Sequence, residues 1–231
     1  EMLRSLVGSE MCIRDRIDCE WHGEHPINPD SYLRTIQLAT GPHRAVLIQL
    51  TEPGGAVSFC DATGKPALRR LAEVLARLWP QVRPVGHFLV ADLVWLRYYG
   101  IDPIAPHALP LGENAVARFR AGEGWLDTGL MTHALQETAA LGLEVLASQY
   151  ADLGRYDLPL EQWKKQNPHE SGFGNCPSEL LYPYALADAC ATYQIAQALL
   201  PQLDRDAYGN SAWEPCWESM AAQEPILAML E

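Results

Sequence analysis

Partway along the chain the apolar residues stop recurring at strand spacing and begin to recur at helical spacing, and that switch constrains the fold more than any other feature. Tyr32 to Ala39 and Arg44 to Leu50 read as strands separated by the turn Gly41-Pro42, and Ala56 to Cys60 as a shorter strand after Pro53-Gly54-Gly55. Leu68, Leu71, Leu75 and Leu78 then recur three or four residues apart, which predicts a helix with Pro66 at its first position and a stop near Trp79-Pro80. A compact strand at Val82 to His87, a helix from Leu89 to Tyr99 ending at Gly100, and Trp125-Leu126 leading into Asp127-Thr128 and a helix through Glu137 follow. Antiparallel strands succeeded by alternating strands and helices specify an α/β layered domain and exclude a bundle.

A short helix is expected over Leu143 to Tyr150. Asp157 to Cys176, with Pro159, Pro168, Gly172 and Gly174 among polar groups, reads as a loop around a short turn. Lys164 and Lys165 in that loop could touch phosphates or could be an ordinary solvated pair. Pro183 divides the next segment into a turn at Ser178 to Tyr182 and a main helix toward Leu200. Trp213 to Glu231 again looks helical.

The chain's 231 residues, 48% of them hydrophobic, suffice for one substantial core with a terminal appendage. No stretch reaches the roughly 20 apolar residues of a membrane helix, and no cleavable signal is apparent. Cys12, Cys19, Cys60, Cys176, Cys190 and Cys216 are scattered and form no CxxC pair, so they are expected to be reduced thiols of a cytoplasmic protein. The formal charge of -12 has the wrong sign for holding nucleic acid by broad phosphate neutralisation. It leaves room for an enzyme, since bound cations reverse the field where an acidic cluster meets a phosphate.

Asp18 and Glu20 are one residue apart, so a strand points both carboxylates to one side, where they repel unless a proton or cation compensates. Asp92 falls in the first turns of the helix after the Val82 strand, at the carboxyl end of the sheet where open α/β proteins bind ligands. It would also serve there as a plain complement to the helix dipole. Tyr184 and Asp188 are four residues apart on one helix face among alanines, where an unpaired aspartate is costly.

Asp18-Cys19-Glu20-Trp21, Gly86-His87-Phe88-Leu89-Val90-Ala91-Asp92-Leu93 and Tyr184-Ala185-Leu186-Ala187-Asp188-Ala189-Cys190-Ala191-Thr192 resemble, in that order, the three exonuclease motifs of the DEDDy branch of the ribonuclease H-like superfamily. The resemblance covers Ile17 to Leu203 and is nearest to the proofreading domain of bacterial and phage family A DNA polymerases. Leu126-Asp127-Thr128-Gly129-Leu130 and Leu143-Glu144-Val145-Leu146-Ala147 resemble the linking region of that group.

Two positions depart from the pattern. Phe88 stands where many polymerase relatives have asparagine, and Trp21 stands where threonine is common, although Werner-type relatives carry tryptophan. The resemblance implies a ribonuclease H-like three-layer fold, a central mixed sheet flanked by helices. It also implies a 3′-5′ exonuclease that hydrolyses terminal phosphodiesters of DNA to nucleoside 5′-monophosphates. Two divalent cations, Mg²⁺ or Mn²⁺, would be held by Asp18, Glu20, Asp92 and Asp188, and Tyr184 would orient the attacking water.

The implied partners are a single-stranded 3′ end, met by Trp21, His87 and Phe88, and a polymerase domain in cis. Trp95 is expected in the core and Asp127 in a structural role behind the ligands. Three segments follow: a leader at 1–16, in which Ser5 to Arg16 resembles an adaptor-derived artefact; the exonuclease domain at 17–203; and the start of a connection toward a polymerase domain at 204–231. A noncatalytic nucleic-acid-binding domain and a different two-metal phosphoesterase are the alternatives.

Overall fold

The computed structural model describes residues 16–60, 67–170, 172–205 and 209–229. Its centre is a five-stranded sheet made of β1 (Arg16–His22), β2 (Tyr32–Gly41), β3 (Arg44–Gln49), β4 (Val85–Gly86) and β5 (Leu126–Asp127), in the order β3-β2-β1-β4-β5. β1, β2 and β3 pair antiparallel, and β4 and β5 join parallel. The sheet is therefore mixed, with the hairpins on one side and the crossover connections on the other.

Leu33 through Ala39 in β2 are buried without alternation, as happens when both faces of a strand are covered. The covering helices are α1 (Leu68–Leu78), α2 (Leu89–Tyr98), α3 (Ala115–Arg120), α4 (Thr128–Leu135), α5 (Leu143–Tyr150), α6 (Leu158–Gln166), α7 (Ser178–Asp204), α8 (Trp213–Ala221) and α9 (Glu224–Ala228). This is the layered α/β, ribonuclease H-like architecture expected from the sequence. α7 crosses β1, β2 and β3 and also packs on α5 and α4. In α1, Leu71, Leu75 and Leu78 are buried as their spacing predicts; Pro66 lies outside the described residues.

Four local expectations are corrected. Ala56 to Cys60 does not form a strand: Thr51 and Val57 make one isolated bridge, and the Ser58 and Phe59 amides both donate to the Leu50 carbonyl, which ends the ladder. The strand expected over Val82 to His87 shrinks to Val85–Gly86, because the Val82 amide closes a tight turn onto the Trp79 carbonyl and Phe88 turns left-handed at the far end. The loop over Asp157 to Cys176 contains α6, whose Pro159 sits in the first turn where no amide bond is needed. α7 runs through Pro183 unbroken: the missing amide would serve only the carbonyl of Glu179, an exposed residue in the helix's first turn. α3 falls in a stretch without legible periodicity.

Arg16, grouped above with the leader, is the first residue of β1, and residues 1–15 lie outside the described residues. A buried arginine is tolerable there because its guanidinium lies 4.3 Å over the Tyr193 ring and donates to the Tyr193 carbonyl at 3.4 Å. At the other end α8 packs on α4 and α3, and Trp213, Cys216 and Met220 join the main core. Arg97 also donates to the Leu227 carbonyl at 2.6 Å. No described helix is long and apolar enough to cross a membrane, and the five described cysteines are free thiols.

Candidate active site

β1 holds Asp18 and Glu20 on one side of the strand, with a register shift between Glu20 and Trp21 that ends the regular ladder just past them. α7 brings Asp188 over the same spot. Asp18, Glu20 and Asp188 each place a carboxylate oxygen within 4.8 Å of the others. Asp92, in the first turn of α2, is not one of that trio: its Oδ1 accepts the Cys19 amide at 3.0 Å and the Cys19 thiol at 3.0 Å.

Burial raises the Asp18 carboxyl well above the usual carboxylate range, and the charges of Asp92, Glu20 and Asp188 raise it further. Glu20 is raised well above its usual range by burial and then by Asp188 and Asp92, with Lys164 opposing. Asp92 and Asp188 are each pushed up to about 7 by burial, against the hydrogen bonds that favour their charged forms. Asp18 Oδ2 is buried without a hydrogen-bond partner among the described residues. Crowded, buried carboxylates with an orphaned oxygen suit a divalent cation, which would supply the charge that the protein does not.

Tyr184 lies one turn before Asp188, and burial followed by the Asp188 charge raises its phenol far above the ordinary value. Tyr156, which the sequence reading missed, donates to Asp188 Oδ1 at 2.7 Å. Its phenol is likewise raised by burial and by Asp188. Tyr156 sits in an irregular stretch between α5 and α6, with no spacing rule to link it to a helix 32 residues away.

The residues assigned to the strand end are dispersed. Trp21 stacks on Trp95 at 5.4 Å between ring centroids, and Trp95 is in the core as expected. His87 is turned inward: its Nδ1 meets Thr128 Oγ1 at 2.9 Å while that hydroxyl donates to the Gly86 carbonyl at 3.2 Å, and burial lowers its pKa. Phe88 is 45% exposed and meets the His87 ring edge-on at 4.7 Å. Asp127 is occupied structurally, accepting the Leu89 amide at 2.7 Å and the Leu130 amide at 3.1 Å.

Comparison with known proteins gives three findings. A family model described as 3′-5′ exonuclease matches residues 16–204. The DNA polymerase of Escherichia phage T5 is 30% identical over 88 residues, 35% of this chain and 10% of that protein, so the match spans about a tenth of the polymerase's length. Brucella melitensis NrnC has a similar fold, with a TM-score of 0.57 at 17% identity, covering 96% of this chain and 88% of that one. The same protein with bound Mg²⁺ gives 0.55 at 16% identity, covering 96% and 89%.

Proposed function

This chain belongs to the 3′-5′ exonuclease family, and from that premise we propose that it shortens single-stranded DNA from the 3′ end, releasing nucleoside 5′-monophosphates, with two divalent cations held by Asp18, Glu20, Asp92 and Asp188. The observation that carries the reading is the trio of carboxylates within 4.8 Å beside an orphaned Asp18 oxygen. Held there, Mg²⁺ or Mn²⁺ ions would supply the charge that acidifies a water and stabilises the departing 3′ oxygen.

The protein's own groups divide the remaining work. Asp18 and Glu20 offer oxygens from a rigid strand, so their spacing does not depend on a mobile loop. Tyr156 holds Asp188 in place through the 2.7 Å hydrogen bond. Tyr184 stays protonated at working pH, since its phenol is raised, so it orients the attacking water by hydrogen bonding and does not serve as its base. Exposed Phe88 offers a ring to the terminal base, while Trp21 and His87 brace the walls.

The phage polymerase match supports DNA as substrate, proofreading as the role, a polymerase domain in cis and a bacterial or phage-infected cytosol as the setting. A second reading, cleavage of very short oligonucleotides, is favoured by a fold that matches NrnC over 96% of this chain and 88% of that one; NrnC also has a structure bound to pGG.

The test is a time course on 3′-labelled and 5′-labelled single-stranded DNA and on pGG, with and without Mn²⁺, for the parent and Asp18→Ala. Metal-dependent release from the 3′ end is expected, falling at least about a hundredfold in the variant. Equal activity without metal or in the variant refutes the mechanism, and turnover of pGG alone moves the assignment to the second reading.

A further inference from the structure

Lys164 and Lys165 read alike in the sequence and differ in the fold. Lys165 faces the Glu161 carboxylate at 4.0 Å, an ordinary pair four residues apart on α6. Lys164 makes no ion pair among the described residues; its ammonium sits 4.4 Å over the Phe173 ring. The two residues border a cavity of about 290 Å³ between α6 and the strand of chain that follows it, with Trp163, Asn167 and Glu170. Glu170 makes no ion pair with the lysine among the described residues: both its oxygens accept from the Asn175 side-chain amide at 2.9 Å, and its charge stays in the lining.

This cavity adjoins the acidic cluster. The Phe173 amide donates to the carbonyl of Trp21, the residue after Glu20, at 2.8 Å, and the Phe173 ring lies 6.0 Å from that of Tyr184. Lys164 is also the cation whose charge reaches Glu20 and Asp188. Gly172 is what lets the chain lie so close: it has φ +81, and a Cβ there would stand 2.5 Å from the Trp21 carbonyl oxygen.

We propose that this cavity is a subsite for the nucleotide preceding the terminal one, with Lys164 on its phosphate and the Phe173 ring under its base. A cation resting on an aromatic face suits a single strand, whose phosphate would draw the ammonium aside and free the ring face for a base. In a chain of net charge -12, a lysine without an ion pair among the described residues supplies local positive charge beside the acids. The proposal rests on the exonuclease reading for the direction of the strand, and its test does not depend on cleavage.

The test is binding of a 5′-fluorescein-labelled hexathymidylate in Ca²⁺, followed by anisotropy across a NaCl series, for the parent, Lys164→Gln, Lys165→Gln and Phe173→Leu. Lys164 and Lys165 are both exposed, so neither lysine variant threatens folding. Lys164→Gln is expected to weaken binding about fivefold and to reduce the slope of log K against log salt by about 0.7, the share of one phosphate on a single strand. Phe173→Leu should weaken binding with the slope unchanged, and Lys165→Gln should change neither.

Equal slopes for the two lysine variants, or a parent that does not bind the hexamer, overturn the subsite. The expected binding pattern without metal-dependent 3′ release leaves the subsite standing and removes the exonuclease reading instead.

Discussion

Phe88 holds φ 53 and ψ 44, left-handed backbone, where β4 turns into α2. That conformation costs an ordinary side chain about 1–2 kcal/mol, and asparagine tolerates it better. In the sequence the phenylalanine is a departure from the pattern at a residue expected to meet the strand end; the backbone shows that it is also a change in strain. Because the ring is 45% exposed, little packing is lost with it. Phe88→Asn should therefore stabilise the fold by roughly 0.5–1 kcal/mol, measured as a raised denaturant midpoint at constant slope. A midpoint lowered by that amount would mean that the contact with His87 outweighs the strain. Asp18 and Glu20 were legible because a two-residue spacing in a strand has one geometric meaning. Tyr156 was not, since its place on Asp188 depends on how two irregular segments fold back.

Among the elements, α2 and α4 share one anchor. Asp127 accepts the amides that begin both helices, Leu89 at 2.7 Å and Leu130 at 3.1 Å, from a fully buried position at the end of β5. A carboxylate at two helix N-termini satisfies two orphan donors and complements two dipoles. Asp127→Ala should cost about 2–4 kcal/mol in chemical denaturation, with Asp127→Asn intermediate; a loss under about 0.5 kcal/mol would show that water replaces the carboxylate without penalty. Since α2 carries Asp92, activity should fall in the same order. Long elements with a clear period were legible, β2, β3, α1 and α2 among them. β4 and β5 have two residues each, too few for any period to show, and α6 was hidden by prolines that mark helix starts as readily as loops.

For the molecule as a whole, the buried acids from β1, α2 and α7 make stability depend on pH. An unfolded aspartate titrates near 3.8, while Asp92 and Asp188 in the fold titrate at about 7 and Asp18 and Glu20 are raised as well. The folded chain thus binds more protons than the unfolded one between those values, and stability falls as pH rises. For Asp92 and Asp188 the contribution is complete below about 3.8 and gone once pH passes about 7. With chelator present, the melting temperature should drop from pH 5 to pH 8, and saturating Mg²⁺ should restore it at pH 8. Asp92→Asn should flatten the drop. A chelated chain that becomes steadily more stable toward pH 8 would contradict the burial of these charges.

Arg34, fully buried in β2, donates one guanidinium nitrogen to the carbonyls of Phe173, Gly174 and Cys176, at 2.7, 2.7 and 3.2 Å. The segment bearing Phe173 is in this way clasped to the middle of the sheet. Peeling it away would strip the guanidinium of these acceptors in the interior, which ties this wall to β2. On the reading proposed above, a strand end would meet beside the acids a wall tied to the sheet by these three bonds.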